Sequence, residues 1–269
     1  MRPYIGMTDV PSAEWLRERL ETFAAAGGHM LPHQLHAGIM CSYKTLHGLP
    51  TKWAAAWPKL EDADAIFIDD ERVLNTLHYA DYPDDEHPIA RTTVRDMREL
   101  IRRCSCPIDA IQFDMVWPRI ELLDAIKETS GAPRVILQVG KKALEEIGRD
   151  IPALMRRIQS YNGCVDDVLL DMSGGTGTAM GASFLTPFIV ALRKEHPHLG
   201  VSVAGGLGPD TLHLVAPLVS AFPGISIDAQ GQLRTSGKSL DPIEAERADA
   251  YLRGAIEMFL ATVPDGAPV

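Results

Sequence analysis

The chain has 269 residues, of which 46% are hydrophobic and 23% charged, an ordinary balance for a globular protein with a full core. Its formal net charge of −10 argues against a nucleic-acid or anionic-membrane surface, because such partners require clustered Lys and Arg. No apolar run reaches the roughly 18 residues of a membrane span, and the N-terminal residues lack the apolar core of a signal peptide. We therefore expect a cytoplasmic protein that binds a small molecule. The sequence is also compatible with a homodimer.

Short β-branched segments alternate with longer segments of helical period along the chain. The predicted strands are 3–7, 35–41, 65–69, 110–115, 134–139, 167–171, 200–205 and 224–229. The predicted helices are 12–26, 53–60, 93–104, 118–129, 141–159, 183–195, 209–221 and 242–261. Eight strand–helix units favour a closed (β/α)8 TIM barrel over an open sheet, and the nearly continuous apolar strands agree with burial on both faces. Because no linker divides the chain, we predict a single domain over residues 1–269.

One predicted connection, residues 69–91 after the third strand, is far longer than the usual 2–6 residues of such loops. A connection from a strand to the following helix opens at the C-terminal end of the barrel, where active sites lie. This placement predicts a lid or a segment that contacts the substrate, and a disordered acidic excursion is the alternative.

The predicted strands end in acidic residues: Asp69 and Asp70 on the third, Asp114 on the fourth, Asp171 on the sixth and Asp228 on the eighth. A single Asp after a strand is more often a turn or cap residue. Several on one rim favour a catalytic site, because like charges in a concave site raise each other's pKa.

Glycine-rich turns follow the last three predicted strands, at 173–177, 204–208 and 230–231. Glycine lets the backbone approach an anion closely, and barrels of this type often bind phosphate after strands seven and eight. The alternative is that these glycines only permit tight turns. The candidate phosphate-binding residues are Gly175, Thr176, Gly177, Gly205, Gly206, Gln230 and Gly231.

The sequence predicts neither a metal site nor a cofactor. The four cysteines, Cys41, Cys104, Cys106 and Cys164, lack zinc-ligand spacing and are expected to be reduced and mostly buried. Three histidines near the second strand, His33, His36 and His47, have no identifiable partner ligands, so core or surface positions are favoured.

Three late segments, 168–178, 202–212 and 225–242, resemble phosphoribosylanthranilate isomerase, the tryptophan-pathway barrel that performs an Amadori rearrangement. The family shows the same order of an LLD followed by GGTG, then AGGL, then an eighth-strand carboxylate followed by glycine. The last hundred residues carry most of the match, and 4–8 and 111–114 resemble earlier family motifs less closely.

This resemblance implies a phosphorylated ribosyl or similar sugar substrate. Asp171 matches the general acid that protonates the ring oxygen, and Asp228 matches a carboxylate that contacts the substrate. The resemblance also implies that the phosphate is seated at Gly205, Gly206, Gln230 and Gly231.

The chain departs from the family at several functional positions. Ile5 stands where the family has its general-base cysteine, Thr178 replaces a lysine and Asp114 replaces a histidine, while the basic residue after the second strand is Lys44 or Lys52. Either another group takes the proton, or the chemistry has changed while the acid and the phosphate site remain. As the replacement base, Asp114 is favoured over Cys41 because an acidic mouth disfavours a thiolate.

The leading hypothesis is therefore an isomerase that uses acid/base proton transfer on a phosphorylated sugar derivative, with Asp171 and Asp114 as catalytic residues and Asp69 and Asp228 in contact with substrate. The first alternative is a metal-assisted lyase or aldolase with Mg²⁺ or Mn²⁺ on Asp69, Asp114 and Asp228. The second is a non-catalytic barrel that binds a phosphorylated ligand. The fold alone does not choose among them.

Overall fold

Eight parallel strands form a closed barrel in chain order, with β1 paired to both β2 and β8. A computed structural model describes residues 1–54, 56–83, 89–104, 108–161, 163–171 and 181–263. The strands are β1 Tyr4–Thr8, β2 Gln34–Ser42, β3 Val73–Ala80, β4 Ala110–Asp114, β5 Arg134–Gly140, β6 Asp167–Asp171, β7 Gly200–Ala204 and β8 Ser226–Ala229. The predicted (β/α)8 barrel is confirmed.

Helices follow the strands and cover the outside of the barrel. They are α1 Ala13–Ala25, α2 Tyr43–Leu46, α3 Val94–Arg103, α4 Ile120–Lys127, α5 Lys141–Glu146, α6 Ile151–Ser160, α7 Ala182–Glu195, α8 Ala216–Ala221 and α9 Ala245–Leu260. On α9 the buried Leu252, Ile256 and Phe259 recur at helical spacing. That helix also packs beside α1, which closes the outer ring. Of the described helices, none combines the length and apolar character needed to cross a bilayer.

The predicted third strand at 65–69 is wrong, because the strand lies at Val73–Ala80. Residues 60–65 form a 3₁₀ helix, and Ile66, Phe67 and Ile68 are buried without joining the sheet. The Asn75 side chain on β3 donates to the Ile68 carbonyl at 2.8 Å and holds this segment against the barrel. The apolar run at 66–68 is therefore a buried segment that precedes β3 and is not itself a strand.

Three other expectations change in detail. The predicted long connection at 69–91 contains β3 itself, so the loop into α3 covers only residues 81–93, of which 84–88 lie outside the described residues. In the described part of the predicted helix 53–60, residues 53, 54 and 56 lie in turns and no α-helix forms, so the helix after β2 is the short α2. The predicted helix 141–159 is divided into α5 and α6.

Candidate active site

The C-terminal ends of the strands surround one cavity of about 680 Å³. Most of the candidate site residues line it: Asp114, Asp171, Asp228, Gly205, Gly206, Gln230 and Gly231. The candidates Gly175, Thr176 and Gly177, like Thr178, lie outside the described residues. The acidic mouth inferred from strand ends is thus present, with three aspartates from β4, β6 and β8.

Asp69 is a correction, since it precedes β3 instead of following it. It lies at the N-terminal end of the barrel, beside Arg17 and Glu21 of α1. Asp70, next to it, accepts hydrogen bonds from the Arg72 guanidinium at 2.9 and 2.6 Å. Neither residue can contact a ligand in the mouth, and the predicted substrate-binding role of Asp69 is wrong.

Asp171 ends β6 and is 7% exposed. The amide nitrogen of Gln138 on β5 donates to Asp171 Oδ2 at 3.1 Å. The amide oxygen of Gln138 accepts in turn from Gln112 Nε2 on β4 at 2.8 Å. This chain of amides across three neighbouring strands orients the Asp171 carboxyl toward the cavity that it lines.

Asp114 ends β4 and accepts a 2.5 Å hydrogen bond from the hydroxyl of Tyr82 in the β3–α3 loop. Burial, with a further contribution from the negative charge of Asp171, raises the pKa of Asp114 to about 6. A carboxyl group with this pKa exchanges protons near neutral pH. Tyr82 also lines the cavity, so part of the segment predicted to contact substrate does reach the mouth.

Asp228 on β8 is 6% exposed, and the hydroxyl of Thr8 on β1 approaches its two oxygens at 3.3 and 3.2 Å. Burial is the main cause that raises the pKa of Asp228 to about 7, and the charge of Asp171 adds to it. His36 on β2 lies behind this carboxyl group, with Nδ1 3.7 Å from Asp228 Oδ1.

The three histidines grouped by sequence lie in three different places. His33 contacts the Ile225 carbonyl, His47 pairs with Asp96 of α3 at 2.9 Å, and His36 is inside the barrel. The partner of His36 is His78 on β3, with 3.3 Å between their Nε2 atoms. Among the described residues no group of three or more His, Cys, Asp or Glu is arranged to hold a metal ion.

The turn after β7 needs glycine at two positions, because Gly205 and Gly206 have φ angles of 125° and 65°. The Thr211 hydroxyl donates to the Gly206 carbonyl at 2.7 Å and fixes that peptide. Among backbone hydrogen bonds between described loop residues, none has the amide of Gly206 or Gly231 as its donor. Both amides therefore remain available, within this part of the chain, to an anion in the cavity.

The loop after β8 is tied to the end of β1 by Arg234, which the sequence analysis missed. Its Nη2 donates to Asp9 Oδ2 at 2.7 Å, and Nη1 donates to the Gln230 carbonyl at 2.8 Å. Arg234 is 2% exposed, so its charge is used inside the protein to position Gln230. The Gln230 side chain also donates to Asp9 Oδ2 at 3.1 Å.

Two further parts of the cavity wall were not predicted. Trp53 and Trp57, in the β2–β3 connection, stack with ring centroids 4.8 Å apart and planes 4° apart. Lys141 and Lys142 at the start of α5 supply positive charge, and Lys142 Nζ lies 5.6 Å from the ring centroid of Tyr82. The mouth thus offers a flat apolar surface and two cations in addition to its carboxyl groups.

The two groups weighed as the base in place of the family's cysteine differ in access, since Asp114 lines the cavity and Cys41 does not. Ile5 is fully buried in β1, as its apolar side chain requires. Cys41 is also buried, which raises the pKa of its thiol to about 12 and keeps it protonated. The described cysteines, Cys41, Cys104 and Cys164, are all free thiols, and Cys106 lies outside the described residues.

Comparison with solved structures shows a similar barrel in phosphoribosyl anthranilate isomerase from Thermus thermophilus. That structure has a TM-score of 0.59 and 15% identity over 94% of this chain and 98% of its own. Phosphoribosyl anthranilate isomerase in complex with reduced 1-(o-carboxyphenylamino)-1-deoxyribulose 5-phosphate has a TM-score of 0.57 and 14% identity over the same shares. No protein-family model and no curated protein matches the chain. At 14–15% identity, this similarity shows a shared fold and nothing beyond the fold.

Proposed function

We propose that this chain is an enzyme that isomerises a phosphorylated sugar derivative by acid/base proton transfer, with Asp171 as the proton donor. The observation that carries the proposal is that Asp171 and the glycine turns after β7 and β8 line the same cavity. A proton donor and an anion-binding turn on one wall are the two parts that ring opening of a phosphorylated sugar requires.

The size and charge of the cavity support a ligand of this class. A volume of about 680 Å³ lies within the usual range for small-molecule sites. The amides of Gly206 and Gly231 would bind the phosphate, and Lys141 and Lys142 would offset its charge. One of the similar solved structures is a complex with a deoxyribulose 5-phosphate derivative, which agrees with this ligand class by analogy of fold only.

Asp114 is the proposed base. Its pKa of about 6 leaves it mostly ionised at neutral pH, and the Tyr82 hydroxyl orients one of its oxygens. Because Ile5 occupies the position of the family's base cysteine, we expect a reaction other than efficient phosphoribosylanthranilate isomerisation. The matching test is complementation of a tryptophan auxotroph, which should fail, and prompt growth would contradict this part of the proposal.

The metal-assisted alternative loses its original ligand set, because Asp69 lies at the opposite end of the barrel from Asp114 and Asp228. The non-catalytic alternative retains the cavity and differs only in lacking turnover. The experiment that tests the proposal therefore also tests the non-catalytic alternative, because it measures binding and turnover separately.

The experiment combines binding and proton exchange. Ribose 5-phosphate should raise the melting temperature more than ribose at equal ionic strength, since a ligand at 100 times its Kd stabilises by about 2.7 kcal/mol. A panel of phosphorylated sugars in D₂O should then reveal deuterium incorporation by NMR. We expect Asp171→Asn to lower the exchange rate about 10²- to 10⁴-fold while the thermal shift persists.

Asp69→Asn is the matched control, because it removes an aspartate at the other end of the barrel and should change neither readout. Binding without exchange in the wild type would support the non-catalytic barrel. Binding and exchange that both survive in Asp171→Asn would remove Asp171 from the mechanism.

A further inference from the structure

A row of three polar side chains crosses the barrel beneath the cavity. Asp228 and His78 both line the cavity, whereas His36 between them is fully buried. Asp228 Oδ1 lies 3.7 Å from His36 Nδ1, and His36 Nε2 lies 3.3 Å from His78 Nε2. The row therefore connects two separate points of the cavity wall through a group that no ligand touches.

Two strand glycines make room for this row. A Cβ on Gly6 would lie 2.5 Å from Asp228 Oδ1 and 2.9 Å from His36 Nδ1. A Cβ on Gly38 would lie 2.7 Å from His78 Nε2. Both glycines lie inside strands, where glycine lowers stability, so the space they provide is a specific feature of this barrel. Tyr4 stacks on His36 with ring centroids 4.7 Å apart and fixes the plane of that imidazole.

The contacts favour one arrangement of the protons on the two imidazole rings. His36 Nδ1 is buried and makes no hydrogen bond to any described residue, so the Asp228 carboxylate is the acceptor nearest to its proton. With the proton on Nδ1, His36 Nε2 accepts from His78 Nε2–H. His78 Nδ1 is then the lone-pair nitrogen of the ring that lines the cavity. The 3.7 Å contact is longer than a hydrogen bond, as is common for catalytic contacts in a ligand-free site.

We propose that Asp228, His36 and His78 form a proton-transfer row that moves a proton between two positions of a bound ligand. His78 Nδ1 takes a proton from the ligand, His78 Nε2–H passes to His36 Nε2, and His36 Nδ1–H passes to Asp228 Oδ1. Asp228 can release that proton back to the cavity at its own position, and the reverse sequence restores the starting tautomers. His78 is a catalytic residue in this scheme and His36 acts through it. The proposal rests on the proposed function, which supplies a ligand with an exchangeable proton.

The electrostatics of the row agree with this direction of transfer. Burial lowers the pKa of His78 to about 3 and that of His36 well below its usual value, so neither ring retains a positive charge. The pKa of about 7 at Asp228 makes the carboxylate the group that keeps the proton. Other groups that interact electrostatically with the row are Asp171, Asp9, Arg134, Tyr4 and Tyr251. The acidic ones favour protonation of Asp228, and Arg134 disfavours a charge on His36.

NMR of the ligand-free protein tests the row independently of any substrate. Long-range ¹⁵N–¹H spectra assign the tautomers, with His36→Gln and His78→Gln identifying the signals. We expect His36 protonated on Nδ1 and His78 on Nε2, both neutral from pH 5 to 9. Both rings should shift with one common midpoint near pH 7 that reports Asp228, and Asp228→Asn should abolish this titration.

His33 is the matched control, because it is also buried, with a pKa lowered to about 4, and contacts the Ile225 carbonyl instead of Asp228. Its signals should be unchanged in Asp228→Asn. The proposed row would be contradicted by a proton on His78 Nδ1. It would also be contradicted by imidazole chemical shifts that do not change when Asp228 ionises.

The deuterium-exchange assay separates this proposal from the function it rests on. If phosphorylated sugars exchange in the wild type, His78→Gln should lower the rate about 100-fold or more and His33→Gln should not. Exchange that is unaffected in His78→Gln would overturn the row alone. No exchange in the wild type, with the expected tautomers present, would overturn the proposed function while supporting the arrangement of protons along Asp228, His36 and His78.

Discussion

Strand β6 begins and ends with an aspartate, and the two ends show what distinguishes the two faces of this barrel. Asp167 at the start is 0% exposed and pairs with the guanidinium of Arg134 at the start of β5. Asp171 at the end accepts from the amide of Gln138, four residues along the same neighbouring strand. Since side chains alternate with a period of two, β5 presents both partners on one face.

Asp167 has a charged partner, Arg134, whereas Asp171 has a neutral one, Gln138. This difference in charge distinguishes the structural end of the barrel from the end that holds the candidate site. At the lower, N-terminal end of the barrel, burial raises the pKa of Asp167, and the hydrogen bonds and positive charge of Arg134 oppose that rise. This ion pair suits a group whose role is to hold the lower end of the barrel together. The hydroxyls of Tyr82 and Thr8 orient Asp114 and Asp228 without an equivalent charge, and burial raises both pKa values. The mouth thus has carboxyl groups that exchange protons near neutral pH, at a cost in stability.

Removing the cation at the lower end should have the largest effect on stability. We expect Arg134→Met to lower the free energy of unfolding by about 3 to 5 kcal/mol, because Asp167 would remain buried without its partner. Urea denaturation followed by circular dichroism measures this change.

Two variants sharpen the test. Arg72→Met removes an exposed pair with Asp70 at the same end and should cost less than about 1 kcal/mol. Adding Asp167→Asn to Arg134→Met should recover much of the loss, because the buried charge is then gone. An Arg134→Met variant as stable as Arg72→Met would mean that the lower end does not depend on this ion pair.

At the mouth, removing a carboxylate should stabilise the protein, with an effect that depends on pH. The pKa of Asp228 rises from 3.8 to about 7 on folding, so between these values the native state holds a proton that the unfolded state has lost. The free energy of unfolding therefore falls as pH rises through this window. Asp228→Asn should lack this fall, and its free energy of unfolding at pH 8 should exceed that of the wild type by on the order of 4 kcal/mol, at about 1.4 kcal/mol per unit of pKa.

Urea denaturation at a series of pH values from 4 to 8 measures the difference. Asp70→Asn is the control with the opposite sign. Hydrogen bonds from Arg72 lower the pKa of Asp70 from 3.8, so this variant should be less stable than the wild type by a nearly constant amount from pH 4 to 8. A constant difference between Asp228→Asn and the wild type across this range would show that Asp228 ionises normally in the native state.

The upper end of β6 could be anticipated from sequence because its signals are local. Asp171 directly follows an apolar run, and the glycines at 205, 206 and 231 directly follow the next two strands, so their place at the mouth depends only on recognising the strands. The barrel order then brings them together.

What escaped the sequence analysis is the polar interior. Strand β3 was missed because Asn75, Thr76 and His78 interrupt its apolar pattern, although all eight of its residues are buried. An apolar strand pattern assumes that the interior is apolar, and here the interior holds the polar row. The misplaced strand also put Asp69 at the wrong end of the barrel.

Contacts between residues far apart in the chain could not be predicted from the sequence either. Arg234 binds Asp9 across 225 positions, and Tyr82 binds Asp114 across 32. No local motif marks either pair, since each depends on which loops the closed barrel brings together. The polar residues inside β2 and β3 were the available signal, because a buried imidazole in a strand needs a partner.

The smallest expected effect compares a glycine at each end of the barrel. A Cβ on Gly38 would lie 2.7 Å from both His78 Nε2 and Thr8 Oγ1, side chains held in the packed interior. We expect Gly38→Ala to lower the free energy of unfolding by about 1 to 3 kcal/mol, as overpacking does elsewhere. Gly224, before β8 at the lower end, would place its Cβ no closer than 3.9 Å to Arg193 Nη2. Gly224→Ala should therefore be neutral or up to about 1 kcal/mol more stable. Equal stability of the two variants in urea would show that the space beneath the cavity is not tightly filled, and that the alignment of His36 with His78 does not depend on Gly38.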